Sequence, residues 1–263
     1  MAEKPNFVLV PDADANTDDP SHPVPAVLSR LRRTAASVIS ALPYRPAARL
    51  AANPATLAGA AVPGRPRLVF GLDATASREP AWATARDVTD ALVRALPGEL
   101  DVALAVHGGS RLHTFTEFIT DPNALRDRAA AIACIAGHTQ LLPILARSLA
   151  APGVRVVTYI GDVYEESPTR GRKLADELGR RGIRLFVFHD IADWTARRDA
   201  ELFLDLARRT GGCVLPFDTS APGRLRELLA AIAVFAVGGA ELLQNKRGKL
   251  PGAVVLLQHL DPK

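Results

Sequence analysis

The chain has 263 residues, of which 48% are hydrophobic and 23% are charged, and its formal net charge is +4. These values are typical of a soluble globular protein that is long enough for one substantial domain with additions. Aromatic residues make up only 5% and no basic run is interleaved with them, which argues against nucleic-acid binding. Two cysteines, Cys134 and Cys213, are too few for a disulfide framework and predict free thiols in a reducing cytoplasm.

The first part of the chain differs in composition from the rest. Residues 1–65 form an extension rich in proline and alanine, in which residues 24–41 could form one amphipathic helix. The start of the chain lacks the long apolar run of a signal peptide. The longest uncharged apolar stretch, between Glu227 and Glu241, is shorter than a membrane span. We therefore expect a cytoplasmic protein that does not bind a membrane.

From residue 66 onward, strand-like and helix-like segments alternate. Apolar strand-like runs lie at 68–73, 101–106, 154–160, 183–188 and 212–217, with an alternating edge strand at 111–116. Helix-like segments lie at 80–96, 122–133, 140–150, 168–181, 196–210 and 222–236. This order predicts an α/β domain over 66–236: a doubly wound, mainly parallel six-stranded sheet with helices on both faces. Residues 237–263 are expected to form a C-terminal tail, in which 251–260 is an extra strand or a packed segment.

Oxygen-bearing side chains follow two core strands and open one helix. Asp73, Thr75 and Ser77 come at the end of the first strand, and Asp162 follows the fourth. Thr139 precedes the helix-like segment at 140–150. Ligand sites in doubly wound sheets lie at the carboxyl ends of the strands, so these five residues are expected at one edge. A set of oxygen donors in which hydroxyls outnumber carboxylates suits Mg²⁺.

The spacing of these five residues resembles the von Willebrand factor A (vWA) family, over about residues 67–236. That family carries Asp-x-Ser-x-Ser after its first strand, a distant Thr, and an Asp after its fourth strand, which together form a metal-ion-dependent adhesion site. Thr75 stands here where the family usually has its first Ser, which keeps the hydroxyl donor and adds a methyl group. The segments FGLDATAS, GHTQ, YIGDVYEE and LLQHL are most similar to single-domain bacterial members of the family.

The resemblance implies a Rossmann-like fold and a binding function without catalysis. It implies that Thr75, Ser77 and Thr139 bind Mg²⁺ directly or through water, with Mn²⁺ or Ca²⁺ as substitutes, and that Asp73 and Asp162 act partly through water. It also implies that the open position of the metal accepts a Glu or Asp of a partner protein. Mg²⁺ with few direct carboxylates stays under-neutralised, which favours such an external ligand.

Each element of the pattern also has a simpler interpretation. Asp73 with Ser77, or Thr139, could cap a following helix. Glu165 and Glu166 could extend an acidic rim beside Asp162, but paired glutamates in a loop are more often solvated, and we expect that here.

The neighbouring His138 fits a hydrogen-bonding support better than a metal ligand, because Mg²⁺ prefers oxygen donors.

Two other functions remain open. Phosphohydrolases of the haloacid-dehalogenase-like type also begin with a strand that ends in Asp and also use Mg²⁺. Their chemistry needs a second acid at the position of Thr75, where a hydroxyl of ordinary pKa cannot act as a general acid. The chain could also be a non-catalytic vWA subunit of an ATPase or chelatase complex, in which case any nucleotide-driven work belongs to a partner.

Overall fold

A computed structural model describes residues 64–75, 79–189, 194–217 and 220–260 of the chain. Within these residues, six strands form one sheet in the order β3-β2-β1-β4-β5-β6. Neighbouring strands are parallel except for β2 and β3, which are antiparallel. The predicted α/β architecture with a six-stranded, mainly parallel sheet is confirmed. The predicted helix at 24–41 lies outside the described residues.

The strands and helices have the following bounds. The strands are β1 Arg67–Asp73, β2 Asp101–Gly108, β3 Arg111–Phe115, β4 Val154–Ile160, β5 Arg184–His189 and β6 Cys213–Pro216. The helices are α1 Glu79–Arg86, α2 Ala91–Arg94, α3 Pro122–Ala130, α4 Leu141–Ala150, α5 Pro168–Arg180, α6 Trp194–Thr210, α7 Pro222–Lys246 and α8 Pro251–Leu260.

Alternate side chains of the central strands enter two hydrophobic cores, one on each face of the sheet. Leu68, Phe70 and Leu72 of β1 pack in the core that α1, α2, α3, α7 and α8 cover. Val69 packs in the opposite core, which α4, α5 and α6 cover. Because the central strands are buried on both faces, nearly every residue in them is apolar. Gly71 and Asp73 are therefore exceptions among the buried residues of β1.

Three segments differ from the sequence predictions. The helix predicted at 80–96 is divided into α1 and α2, because residues 87–90 form tight turns in which Val88 N–H bonds to Ala85 O and Thr89 N–H bonds to Arg86 O. The helix predicted at 122–133 ends at Ala130. The undecided segment 251–260 is a helix.

The long apolar helix α7 is part of the core. Over Pro222–Asn245 it is long and apolar enough to cross a membrane by length and composition alone, so the expectation that this region is too short was wrong. Leu229 and Ile232 are fully buried against the sheet and its neighbours. Gly239 has φ 66° and ψ −160°, so the helix is kinked there. These contacts account for the apolar residues on the buried face of the helix.

A partly buried ion-pair network joins α2 to α7. Asp90 accepts hydrogen bonds from Arg94 Nε at 2.7 Å and from Arg226 Nη1 at 3.1 Å. Burial raises the pKa of Asp90, but the two arginines outweigh it and hold the pKa below its ordinary value. The stabilising contribution of Asp90 is therefore present above the unfolded-state pKa, and it is lost as the pH falls through the folded-state pKa.

We expect Asp90→Asn to lower the free energy of unfolding by about 2 kcal/mol at pH 7, because two charge-assisted hydrogen bonds are lost. The difference from wild type should shrink when urea unfolding is repeated below the pKa of the carboxylate. Asp205→Asn is the control, since Asp205 pairs with Arg172 and Arg209 at the surface and such pairs contribute under ~1 kcal/mol. If Asp90→Asn lowers the free energy of unfolding by the same amount at acid and at neutral pH, the electrostatic explanation is contradicted.

Candidate metal centre

The carboxyl ends of β1 and β4 lie side by side in the middle of the sheet. The register pairs Leu72 with Ile160, so Asp73 ends β1 beside the first residue after β4, and Asp162 follows one residue later. The two carboxylates predicted to share a site therefore belong to adjacent loops at one edge. We call residues 73–75 the β1 loop and residues 161–167 the β4 loop.

The carboxylate of Asp73 is held inside the β1 loop. Its side chain is 1% exposed, and its Oδ1 accepts a hydrogen bond from Thr75 N–H at 3.0 Å. Thr75 is also buried. The third predicted residue of this segment, Ser77, lies outside the described residues, so its place in the site stays a prediction.

A third segment, residues 135–140, connects the β1 loop to the rest of the edge, and we call it the threonine loop. Ile135 N–H donates to Ala74 O at 2.8 Å, and His138 N–H donates to Ser110 Oγ at 2.9 Å. Gly137 packs so closely on the backbone of residues 109 and 110 that a Cβ there would collide with it. These contacts fix the backbone on both sides of Gly137, and Thr139, which follows, is only 5% exposed.

Glu165 joins the β4 loop to the threonine loop. Its Oε2 accepts from Thr139 N–H at 2.7 Å, and its own N–H donates to Thr139 Oγ1 at 3.2 Å. Its Oε1 lies 2.9 Å from His138 Nδ1. Partial burial raises the pKa of Glu165, but these bonds outweigh it and hold the pKa below its ordinary value. Glu165 therefore orients Thr139. His138 was expected to act as a hydrogen-bonding support, and its contact with Glu165 agrees with that role.

Glu166 stabilises the start of α4 from the same loop. Its Oε2 accepts from Leu142 N–H at 2.7 Å, so it satisfies one of the free N–H groups at the helix end. Burial raises the pKa of Glu166 despite the backbone N–H groups around it. Glu165 is exposed, as expected of a solvated glutamate, whereas Glu166 is partly buried, so the prediction that both are solvated was wrong for Glu166. Gln140, not Thr139, stands at the N-cap position, and no side chain of its own caps the helix.

Asp162 lies in a loop whose backbone is fixed at several points. Its carbonyl oxygen lies 3.0 Å from His189 Nε2. Tyr164 N–H donates to Asp199 Oδ2 at 2.9 Å, and Gly161 N–H donates to Phe188 O at 3.2 Å. The β4 loop is thus bonded to β5 and α6 as well as to the threonine loop, which restricts the positions that the Asp162 carboxylate can occupy.

A buried histidine on β2 and a buried tyrosine on β4 pack next to Asp73 of the β1 loop. His107 Nε2 and Tyr159 Oη are 2.8 Å apart, and His107 Nδ1 lies 3.8 Å from Asp73 Oδ1. The two residues belong to β2 and β4, so their hydrogen bond passes over β1, where Gly71 leaves room for the Tyr159 ring. Burial lowers the pKa of His107 to about 4, against the opposing effect of Asp162 and Glu165. His107 is therefore neutral at pH 7.

We expect Tyr159→Phe to lower the free energy of unfolding by about 1–2 kcal/mol, because a fully buried ring nitrogen of His107 loses its partner. Urea unfolding measures the change. Tyr164→Phe is the matched control, since the Tyr164 hydroxyl donates a longer bond of 3.2 Å to Ser167 O in a partly buried position. Equal stability of Tyr159→Phe and wild type would contradict a structural role for the His107–Tyr159 bond.

The side chains predicted to bind a metal at this edge all offer oxygen, the donor type that small, hard cations prefer. The described members of the predicted set are Asp73, Thr75, Thr139 and Asp162. Thr139 Oγ1 accepts one described hydrogen bond and keeps a second lone pair. Within the described ranges no group of three or more His, Cys, Asp or Glu side chains could hold a metal, so hydroxyl oxygens have to complete such a site, as in Mg²⁺ coordination by few carboxylates.

No family model matches the chain, and no curated protein matches it. Solved structures do match its fold. A von Willebrand factor type A structure from Catenulispora acidiphila has a TM-score of 0.52 at 17% identity, over 66% of this chain and 43% of that one. Proximal thread matrix protein 1 from the mussel byssus has a TM-score of 0.52 at 13% identity, over 65% and 46%. The chain spans under half the length of each, and these similarities show a vWA-type fold.

Proposed function

We propose that the chain is a non-catalytic binding module that captures an acidic side chain of a partner protein through a divalent cation. The ion, Mg²⁺ in the first instance, would be held by Asp73, Thr75, Ser77, Thr139 and Asp162. The observation that supports this most is the joining of three loops at one sheet edge. Ile135 bonds to the β1 loop, and Thr139 exchanges two hydrogen bonds with Glu165 of the β4 loop.

The charges of this donor set favour an acidic ligand. If Asp73 and Asp162 act partly through water and the direct donors are mainly neutral hydroxyls, a divalent ion has few directly bound negative charges, and it would supply an electrophilic position for an external carboxylate. Both oxygens of Glu165 already accept hydrogen bonds from the threonine loop. Glu165 thus acts on the site by orienting Thr139, while the position above the edge is left for the partner.

A hydrolase fits the same edge less well. The residue two positions after Asp73 is Thr75, whose N–H bonds to Asp73 Oδ1, and it offers no acid for proton transfer to a leaving group. The three loops hold no lysine. We therefore expect no turnover of aryl phosphates in Mg²⁺. Turnover that disappears in Asp73→Asn would show that the hydrolase interpretation is correct.

A random peptide library displayed on phage tests the binding function. We expect peptides that are retained in 5 mM Mg²⁺ to carry an Asp or Glu, to be released by EDTA, and to lose binding when that residue becomes Asn or Gln. Asp73→Asn should retain none of them, while Asp101→Asn, at the opposite end of the sheet, should behave as wild type. Peptides that bind equally in EDTA and to Asp73→Asn would contradict the proposal.

A further inference from the structure

An arginine-lined cleft opens at the amino ends of β4 and β5. This is the end of the sheet opposite the candidate metal centre. The volume of the cleft is about 540 Å³, which is within the usual range for small-molecule sites, about 300–1,000 Å³. Arg155 at the start of β4, Arg184 at the start of β5 and Arg181 line it. β4 has seven residues, so about 20 Å separates the two edges.

Arg155 and Arg184 are anchored by neutral groups. Arg155 Nη1 donates to Val237 O at 2.9 Å, and Arg184 Nη1 donates to Thr210 O at 2.7 Å. Each of these guanidinium groups has five N–H donors and uses one of them in a described bond. Backbone carbonyls fix the position of a guanidinium but do not neutralise its charge. Both arginines therefore keep donors and a full positive charge for a ligand.

No described carboxylate compensates these two charges. In the described part of the chain, neither Arg155 nor Arg184 forms an ion pair. Arg181 pairs with Glu177, which also pairs with Arg180. The described residues that line the cleft include three arginines and no acidic side chain. The described lining of the cleft therefore carries a net positive charge.

Glycine residues and apolar side chains give the cleft its shape. The kink of α7 at Gly239 forms part of its wall. The Arg184 guanidinium passes so close to Gly211 that a Cβ there would collide with it. Phe235 and Leu260 supply apolar surface. A ligand that fills this space has both an anionic group and an apolar or aromatic body.

We infer that this cleft binds a phosphomonoester with an aromatic or apolar body, up to about the size of a nucleoside monophosphate. Guanidinium groups bind phosphate oxygens with paired, charge-assisted hydrogen bonds, and two uncompensated arginines match the double negative charge of a phosphomonoester at neutral pH. Phe235 and Leu260 contact its body. This site is separate from the candidate metal centre and needs no metal.

Titration calorimetry in EDTA tests the inference, with AMP, phenyl phosphate, inorganic phosphate and benzoate as probes. We expect the two phosphomonoesters to bind more tightly than inorganic phosphate, which lacks the body, and than benzoate, which carries one charge. Arg155→Gln and Arg184→Gln should each weaken AMP binding about tenfold or more. Arg126→Gln is the control, because Arg126 lies on α3 outside the cleft.

Ala240→Trp tests the cleft without any change of charge. Ala240 is exposed and lines the cleft, so the indole should fill the space and abolish AMP binding, while Gln244→Trp, exposed on the same helix and outside the cleft, should not. Asp73→Asn should bind AMP as wild type does. Thermal melts identify a variant that fails to fold. The inference would be overturned if the wild type does not bind AMP at millimolar concentration. It would also be overturned if Arg155→Gln and Ala240→Trp bind AMP as tightly as the wild type does.

Discussion

Replacement of Phe203 with alanine is expected to lower the free energy of unfolding by about 3–5 kcal/mol, the usual cost of removing a fully buried aromatic ring. Phe203 of α6 is 0% exposed. Its ring contacts Tyr159, Tyr164 and His189, with centroids 6.1, 6.1 and 5.2 Å away. Two of these three residues hold the β4 loop through hydrogen bonds, so the cavity would lie next to the side chains that fix this loop.

The same variant should also weaken any metal-dependent stabilisation, because the loop that carries Asp162 loses its support. Phe203→Leu is the matched control, since it keeps most of the side-chain volume and should cost under ~1.5 kcal/mol. Urea unfolding in EDTA measures the packing effect, and repetition in Mg²⁺ measures the effect on the site. A loss below about 1 kcal/mol in Phe203→Ala would contradict the packing described here.

Millimolar Mg²⁺ is expected to stabilise the wild-type chain. If the dissociation constant is about 0.1 mM, then 10 mM Mg²⁺ adds about 2.7 kcal/mol to the free energy of unfolding, because the ion binds only the folded state. Mn²⁺ should act similarly, and EDTA should reverse the gain. Asp73→Asn should abolish it, while the Asn carbonyl can still accept the Thr75 N–H bond that Asp73 accepts now.

Asp101→Asn controls for non-specific binding of cations to carboxylates. Asp101 begins β2, accepts from Thr120 Oγ1 and pairs with Arg65, so it lies at the edge away from the candidate metal centre. This variant should keep the full Mg²⁺ response. Equal thermal shifts in wild type and Asp73→Asn would mean that Mg²⁺ binds elsewhere on the chain.

Most of the fold could be predicted because its determinants are local. Continuous apolar runs such as 68–72 indicate strands that are buried on both faces, and the structure has them there. The division between α1 and α2 could not be predicted, because apolar periodicity continues through the tight turns at 87–90. The helix at 251–260 was also ambiguous, since a short apolar run with one proline fits a strand or a helix equally well.

Sequence patterns indicate only part of the candidate site. Positions after strands and before a helix point to Asp73, Thr75, Ser77, Thr139 and Asp162, and the binding of one metal ion by these residues stays a prediction. His107 and Tyr159 were missed, because their contact joins β2 to β4 across β1 and depends on the order of the strands. Gly71, a glycine within a strand of large apolar residues, was the one local sign of that close approach.

The roles of Glu165 and Glu166 could not be read from the sequence either. Each accepts a backbone N–H that lies more than twenty positions earlier in the chain, and no local pattern indicates such a partner. A solvated pair and a pair that fixes another loop look identical in a sequence. The structure therefore adds to the expected solvated pair a role in holding Thr139 and the start of α4.

Direct titration with Mn²⁺, followed by electron paramagnetic resonance of the free ion, tests most directly whether this sheet edge holds a metal. We predict one site per chain in the wild type and in Asp101→Asn, and loss of that site in Asp73→Asn and in Thr139→Val, which keeps the shape of the threonine side chain but removes its oxygen. Addition of Mg²⁺ should displace the bound Mn²⁺. Absence of Mn²⁺ binding to the wild type at millimolar concentration, or the same affinity in all four proteins, would contradict a metal centre built from these residues.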